Sequence, residues 1–502
     1  MKKPFAITLD PGSSLANKTG SWRTNRPVYV DKLPPCNNAC PAGEDIQGWL
    51  YHAESGDYHQ AWLALTENNP MPATMGRVCY HPCEGACNRA AVDEAVSIHA
   101  VERFLGDQAL RHGWHFPKPS KASGKRVLVV GAGPSGLSAA YHLARLGHAV
   151  EIRDAGPYAG GMMRFGIPKY RLPREVLEGE VQRILDLGVK LTLNTKVDNI
   201  EAAMREGFDA AFLAVGAHIG KRAYIPAGSS AKILDAVSVL RSMEGEEPPQ
   251  LGRRVVVYGG GNTALDVART AKRLGAEEAV IVYRRTREKM PAHDFELEEA
   301  LQEGVLVKWL STIKQAEGGE ITVEKMKLDE KGFPQPTGEM ETLAADSVVL
   351  ALGQDVDLSL LDNATGLVIE NGVVKVGPNM MTGRLGVFAG GDMVPSERTV
   401  TVAIGHGKKA ARNIDAWLRG ARHEPAPKHA LATLENLNPW YYTDAPKTVQ
   451  PMLDVARRQS SFDEVLGGLD ATTALFEARR CLSCGNCFEC DNCYGVCPDN
   501  AV

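Results

Sequence analysis

Eleven cysteines stand in two groups: Cys36, Cys40, Cys79, Cys83 and Cys87 near one end of a 502-residue chain, and Cys481, Cys484, Cys487, Cys490, Cys493 and Cys497 at the other. Residues 88–480 hold none. Thiolates two or three residues apart are soft metal ligands that a short loop can bring onto one centre. A disulfide framework would not cluster its cysteines this way, and it belongs to an oxidising compartment. The run from Cys487 to Pro498 has the C-x2-C-x2-C-x3-C-P spacing of bacterial ferredoxins, which points to a 4Fe-4S cluster. Zinc is the competing metal for C-x2-C pairs, and the ferredoxin spacing with its trailing proline favours iron. In two-cluster ferredoxins the fourth cysteine of such a run serves the other cluster and a second run follows. Here the sequence stops five residues after Cys497, so a truncated chain and a partner that completes the site are both open at that position.

Two glycine turns supply a second chemistry. In RVLVVGAGPSGLSAAYHLARLGHAVEIRD, Gly131, Gly133 and Gly136 satisfy G-x-G-x-x-G after an apolar strand and at the head of an Ala-rich helix. Side chains there would block the turn, the approach of a pyrophosphate and the helix-strand packing, while the helix N-terminus offers N–H groups to phosphate. Asp154 closes the next strand, 23 residues after Gly131, where a carboxylate can accept ribose hydroxyls. The plan recurs at RRVVVYGGGNTALDVARTAKRLGAEEAVIVYRR, with Gly259, Gly261 and Asn262 in the turn and Ala264 in third place. At the end of its following strand Arg284 and Arg285 replace the acid. Guanidinium groups there pair with a 2′-phosphate and favour NADP over NAD; a solvated charge run with Arg287 is the plainer alternative.

The elements that must position these groups are legible in outline. Ile46, Trp49 and Leu50 share one helical face, as do Val101, Phe104 and Leu105, so residues 36–120 read as a helical metal-binding domain after an extended arm, 1–35. PKPSKASGK is a linker by composition, and the chain turns Pro-rich and irregular after about residue 420. Lys plus Arg number 56 against 61 Asp plus Glu, a formal charge of -5 that offers no general attraction to nucleic acid or an anionic membrane. No apolar run reaches the roughly 18 residues needed to span a bilayer, and the start MKKPFAITLDPGSS breaks before a signal-peptide core, so a cytoplasmic protein is expected.

Four ordered motifs, GAGPSGL, AGGMMRFGIPKYRL, GGGNTALDVART with VYRR, and GVFAGGDM before TVTVAIGHGKKAA, resemble the glutamate synthase small-subunit family over about residues 30–420. That family includes the amino-terminal half of dihydropyrimidine dehydrogenase and several NADPH-ferredoxin oxidoreductases. The resemblance implies an α/β protein with two Rossmann-like dinucleotide-binding domains. An FAD domain, 121–245 and 346–420, would be split by an inserted NAD(P) domain, 246–345. A helical iron-sulfur domain would precede them, with an extension, 421–480, and a ferredoxin-like cysteine tail, 481–502, following. It places Gly160, Gly161, Gly390 and Gly391 beside the flavin and Asp392 at its ribityl or pyrophosphate region. It also aims the helix beginning near Thr401 at the isoalloxazine, where the N-terminus can stabilise negative charge.

The family's helical domain carries two 4Fe-4S clusters, with a first motif of the form R-C-x2-C-G followed by C-x3-C-P. This sequence keeps only the second half, at Cys36 to Pro41, while RCLSCG at 480–485 has the form of the missing half. Cys481 and Cys484 are therefore expected to fold back and complete a cluster with Cys36 and Cys87. By the same resemblance Cys40, Cys79 and Cys83 take Glu102 as a carboxylate ligand, against the plainer reading of Glu102 as a solvated helix acid. Cys487, Cys490, Cys493 and Cys497 remain for a third cluster, and eleven cysteines plus one glutamate make twelve ligands, three sets of four.

The expected function is that of an NAD(P)H oxidoreductase subunit with FAD and 4Fe-4S clusters, exchanging electrons with a partner redox subunit or ferredoxin in a heteromeric complex. A glutamate synthase small chain proper and a non-catalytic iron-sulfur scaffold are the rivals. Hydride transfer between nicotinamide and flavin rests on positioning, so no catalytic side chain is expected. A disulfide reductase is excluded, because the flavin region has no thiol pair.

Overall fold

The computed structural model describes residues 31–221, 223–226, 232–362, 364–437 and 443–485. The helical domain is built on Ile46–Glu54, Tyr58–Thr66, Pro72–Val78 and Ile98–His112. Asp45 and Asp57 start the first two by accepting from the backbone N–H groups of Gly48 and Gln60. Their apolar faces meet as the periodicity predicts: Ile46, Trp49, Leu50, Val101, Phe104 and Leu105 are buried in one core, where each aliphatic or Phe side chain contributes about 1.5–3 kcal/mol. Helices Pro72–Val78 and Ile98–His112 touch backbone to backbone. A Cβ on Gly106 would lie 2.2 Å from the Ala73 nitrogen, and one on Gly76 2.5 Å from that of Arg103.

Two parallel five-stranded sheets follow. The first has the strand order 387–389, 210–213, 126–130, 149–153, 190–192, so its edge strand arrives from far down the chain and the unit is split. The second runs 233–235, 347–350, 254–258, 278–282, 306–308. It reaches past the expected 246–345 on both sides, because Ser347–Leu350, where the chain leaves the insertion, pairs with its central strand, and Ile233–Asp235, where the chain enters, pairs with Ser347–Leu350. The two connections to the first unit also pair, at Ile219–Gly220 with Gln354–Asp355. A three-stranded antiparallel sheet, 311–317, 320–328 and 334–344, is appended.

Residues 443–485 run as a strap over all three units. Lys447 Nζ donates to Glu84 at 2.8 Å and Gln450 lies 2.9 Å from His99 Nε2, both on the helical domain. Arg458 and Gln459 then reach Gln302 and the Glu303 carbonyl in the second α/β unit, and Val465 bonds to the Tyr170 carbonyl in the first. Glu464 accepts from Arg77 and pairs with Arg103, which returns the strap to the helical domain. Helix Ala471–Arg479, started by a capping box between Asp470 and Thr473, packs Ala474 and Ala478 into the helical core. Buried Arg480 pins its end through Asp93, Glu477 and three backbone carbonyls. Among the described residues no helix is long and apolar enough to cross a membrane.

Candidate functional site

A cavity of about 440 Å³ lies between the two α/β units and under the edge of the helical domain. The first glycine turn forms one wall. Gly131 adopts φ +107°, and a Cβ there would sit 2.3 Å from the Ala214 carbonyl oxygen, while one on Gly136 would lie 1.9 Å from that of Gly131. Gly133, the N-cap of helix Pro134–Arg145, has only the Gly161 Cα near its Cβ direction, at 3.9 Å. That is the open face a pyrophosphate needs at a helix N-terminus. Gly161 itself, at φ +53°, could not carry a side chain, since its Cβ would meet the Gly133 Cα at 2.7 Å. Asp154 lines the cavity and holds the turn, accepting from Ala132 N at 2.6 Å and Gly156 N at 2.7 Å. Gly391 and Asp392 close the far side. Burial pushes the Asp392 carboxyl up to about 6, with only Arg398 acting against it. Gly160 and Gly390 stand just behind this wall, Gly160 against Leu177 and Gly390 against Phe212 and His406.

Helix Val400–Leu418 points its N-terminus into the cavity through Thr399, Val400 and Ala403. Thr401, expected at the flavin, is not among the residues that line the cavity. Positions 400 and 403 share a helical face and 401 lies about 100° round from 400, so its hydroxyl donates instead to Cys79 Sγ at 3.1 Å.

The second glycine turn meets the same cavity through Asn262 and Thr263. Gly261 caps helix Asn262–Arg273 and has nothing within 4 Å of its Cβ direction, an opening like that at Gly133. Gly259 sits tight against Ala351, and Ala264 is buried in the unit's core. Arg284 is exposed and makes no salt bridge among the described residues, and Arg285 Nε is buried without a hydrogen-bond partner among them. Arg287 of the same run is engaged by Glu298 and Asp294.

Cys36, Cys87, Cys481 and Cys484 line one small space closed by Leu50, Val96 and Ile98. Burial pushes the Cys36 thiol up, and the neighbouring Cys481, Cys87 and Cys484 push it further; Cys481 responds in the same way to burial and to Cys484 and Cys87. Asn88 Nδ2 donates to Cys484 Sγ at 3.5 Å, and Lys32 N bonds to the Gly485 carbonyl, fixing the returning segment. Cys40, Cys79, Cys83 and Glu102 form the second group. Burial and then Glu102 push the Cys79 thiol up to about 12, and Cys83 is raised by burial, Cys79, Glu84, Cys40 and Glu102. Glu102 is buried and raised by burial and by Glu44, and it accepts from Asn69 Nδ2 at 2.7 Å, so it is no solvated helix acid. Thiols and a carboxyl buried together offer the soft and anionic ligand atoms that a shared metal centre takes up with release of their protons. Cys487, Cys490, Cys493 and Cys497 lie outside the described residues.

Several residues at the site carried no sequence signal. Tyr80, next to Cys79, stacks on His293 at 3.7 Å between ring centroids, and its hydroxyl accepts from Asn262 Nδ2 at 2.5 Å. Arg171 of the first unit bridges Asp266, at 3.0 Å to each oxygen, and Glu296 of the second. Burial, only partly offset by Arg171, pushes Glu296 up to about 7. Lys408 reaches from the cavity helix to the carbonyls behind Cys40. His81, Glu84 and His99 bring ligand atoms within 4.8 Å of one another, but Glu84 is already taken by His99 and by Lys447 of the strap.

Two nucleotide turns opening on one cavity, with a buried thiol group hydrogen-bonded to the helix that closes it, define a pyridine-nucleotide- and flavin-dependent oxidoreductase with an iron-sulfur domain. The chain belongs to the pyridine nucleotide-disulphide oxidoreductase family, whose description matches residues 125–407, and residues 22–114 match dihydropyrimidine dehydrogenase domain II, 4Fe-4S cluster. It is 37% identical over 497 residues to the NADP(+)-dependent formate dehydrogenase subunit beta of Moorella thermoacetica, covering 90% of this chain and 70% of that one. It is 32% identical over 425 residues to the glutamate synthase [NADPH] small chain of Escherichia coli, covering 77% and 89%. Among solved structures, FprA of Mycobacterium tuberculosis in complex with NADPH shares the fold at a TM-score of 0.51, with 20% identity over 61% of this chain and 88% of that one.

Proposed function

We propose that this chain is the electron-transfer subunit of a larger oxidoreductase, moving electrons between NADP(H), FAD and 4Fe-4S clusters to or from a partner redox subunit or ferredoxin. The observation that carries this reading is the hydrogen bond from Thr401 to Cys79, which joins the helix at the dinucleotide cavity to the thiol group of the helical domain. In this reading Cys40, Cys79, Cys83 and Glu102 hold the cluster nearest the flavin. Cys36, Cys87, Cys481 and Cys484 hold a second, and Cys487, Cys490, Cys493 and Cys497 a third. A bound flavin exchanges two electrons with a nicotinamide and single electrons with clusters.

The chain's own part is positioning. The Gly131–Gly136 turn holds one pyrophosphate and the Gly259–Ala264 turn the other, each at a helix N-terminus. Arg284 and Arg285, the two arginines of the run without carboxylate partners among the described residues, receive the 2′-phosphate. The Arg171 bridge and the strap fix the second unit against the first, and Tyr80 with Asn262 closes the cavity edge beside the clusters. The Moorella relative, a beta subunit named for NADP(+), supports both the NADP preference and a partner subunit. The Escherichia relative supports a second reading, a glutamate synthase small chain proper, and a cytoplasmic setting suits either.

Isolation of the native complex under anaerobic conditions tests the reading. A co-purifying redox subunit, with bound flavin that bleaches on NADPH addition, is expected. A glutamate synthase large chain in its place would favour the second reading, and a flavin that NADPH leaves unbleached would leave only an iron-sulfur scaffold.

A further inference from the structure

Lys408 lies two turns along the cavity helix from Thr401 and is 7% exposed. Its ammonium donates to the carbonyls of Ala42 and Gly43, the latter at 2.9 Å, and to Asn68 Oδ1 at 3.1 Å. The segment it holds follows Cys40 directly, and the fit is close. A Cβ on Gly43 would come within 2.8 Å of Lys408 Nζ, and one on Gly405 within 2.2 Å of the Pro41 carbonyl oxygen. Three neutral oxygens would satisfy any donor, so hydrogen bonding alone does not call for a full charge on a side chain that loses its hydration here. Burial and then Arg412 push the Lys408 ammonium down to about 8, with Cys40 and Glu44 acting against them, which leaves it protonated at neutral pH, and Glu44 shares Asn69 with Glu102.

We infer that Lys408 is a fixed positive charge that raises the reduction potential of the centre held by Cys40, Cys79, Cys83 and Glu102, so that it accepts an electron from the flavin. This rests on the reading of that quartet as a 4Fe-4S cluster. Three thiolates and a carboxylate already give such a cluster a net negative charge, and the electron that the flavin supplies adds one more. A buried cation stabilises the reduced form more than the oxidised one, and net charge and burial are among the levers that set cluster potentials. The same helix would then serve both partners, its N-terminus facing the flavin and Lys408 facing the cluster.

The test is a redox titration of the full chain, purified anaerobically with its clusters, followed by electron paramagnetic resonance, for the wild type, Lys408→Met and Lys408→Gln. Both variants remove the charge, and glutamine keeps a donor for the carbonyls. Both are expected to lower the potential of this one cluster by about 59 mV, a tenfold shift for one electron, with the Cys36 centre unchanged. The inference is overturned if neither variant moves the potential, if only the methionine does, or if both lose the cluster while retaining flavin, since Lys408 would then serve only to hold the loop. Should methionine alone lose it, the glutamine result decides. Cys79→Ser separates the underlying reading: unchanged iron content there removes the cluster and the inference with it. Loss of about four irons, with unmoved potentials in the lysine variants, removes the inference alone.

Discussion

The Thr401 hydroxyl donates to the sulfur of Cys79 at 3.1 Å, although 322 residues separate the two in sequence. Thr401 lies in the first turn of helix Val400–Leu418, whose neighbouring face lines the dinucleotide cavity, so the bond ties the thiol group to that helix. A donor to a ligating sulfur stabilises the more reduced cluster. Thr401→Val is expected to lower the potential of the nearest cluster by about 1 kcal/mol of reduction free energy, the net worth of one such bond. Flavin content should not change, because Thr401 does not line the cavity. Loss of flavin with an unmoved potential would reverse that assignment.

The returning segment makes the second prediction. Replacing Cys481 and Cys484 together with serine should remove about four irons and four sulfides and leave flavin in place. Iron and acid-labile sulfide analysis decides it, and an unchanged count would mean that the Cys36 group holds no cluster with the carboxy-terminal pair.

Nucleotide choice should rest on Arg284 and Arg285. A charge-assisted hydrogen bond is worth about 1.5–3 kcal/mol, so changing both to glutamine should raise the KM for NADPH by tenfold or more with little change in kcat. The KM for NADH should barely move. Equal losses with both nucleotides would place the 2′-phosphate elsewhere.

How much of this was legible follows from how local each signal is. The glycine turns, their strands and the helical faces of residues 46–50 and 101–105 repeat at short range, and they lie where the periodicity puts them. The juxtaposition of Cys481 and Cys484 with Cys36 and Cys87 was legible for another reason: half of a known ligand pattern was missing at one end and present at the other. Tyr80, Asn69, Arg171 and Lys408 had no such signal, because their roles depend on contacts between segments tens to hundreds of residues apart. The helix beginning near Thr401 was legible, but the bond of its hydroxyl to Cys79 was not, because 322 residues separate the two. The strands at 233–235 and 347–350 are short, and only pairing reveals which sheet they join.

The second unit is anchored by a buried network. Glu303 accepts from Arg269 at 2.9 and 2.7 Å and from Arg273 at 2.6 and 3.0 Å, and both guanidiniums lie over the Tyr170 ring of the first unit. Burial acts to raise the Glu303 carboxyl, but the hydrogen bonds from Arg269 and Arg273 outweigh it and hold it below the ordinary range. A depressed carboxylate contributes stability above its unfolded value of about 4.3, and that contribution is lost as pH falls further, through the folded value. Glu303→Gln should cost about 3–5 kcal/mol at neutral pH, seen as a lower Tm, because buried Arg273 loses its carboxylate partner and buried Arg269 keeps only Glu299. Below about pH 4 the difference from wild type should narrow. A constant difference at every pH would show that the charge is not what Glu303 contributes.

In the proposed function electrons pass from NADPH through flavin to the cluster beside Thr401. Rapid mixing of the anaerobic, cluster-loaded full chain with NADPH, followed by flavin absorbance and by freeze-quenched electron paramagnetic resonance, tests it most directly. The flavin should bleach first, and the signal of the Cys79 cluster should rise afterwards at a rate that Thr401→Val slows. Clusters that become reduced before the flavin, or a bleached flavin with every cluster left oxidised, would rule out that order of transfer.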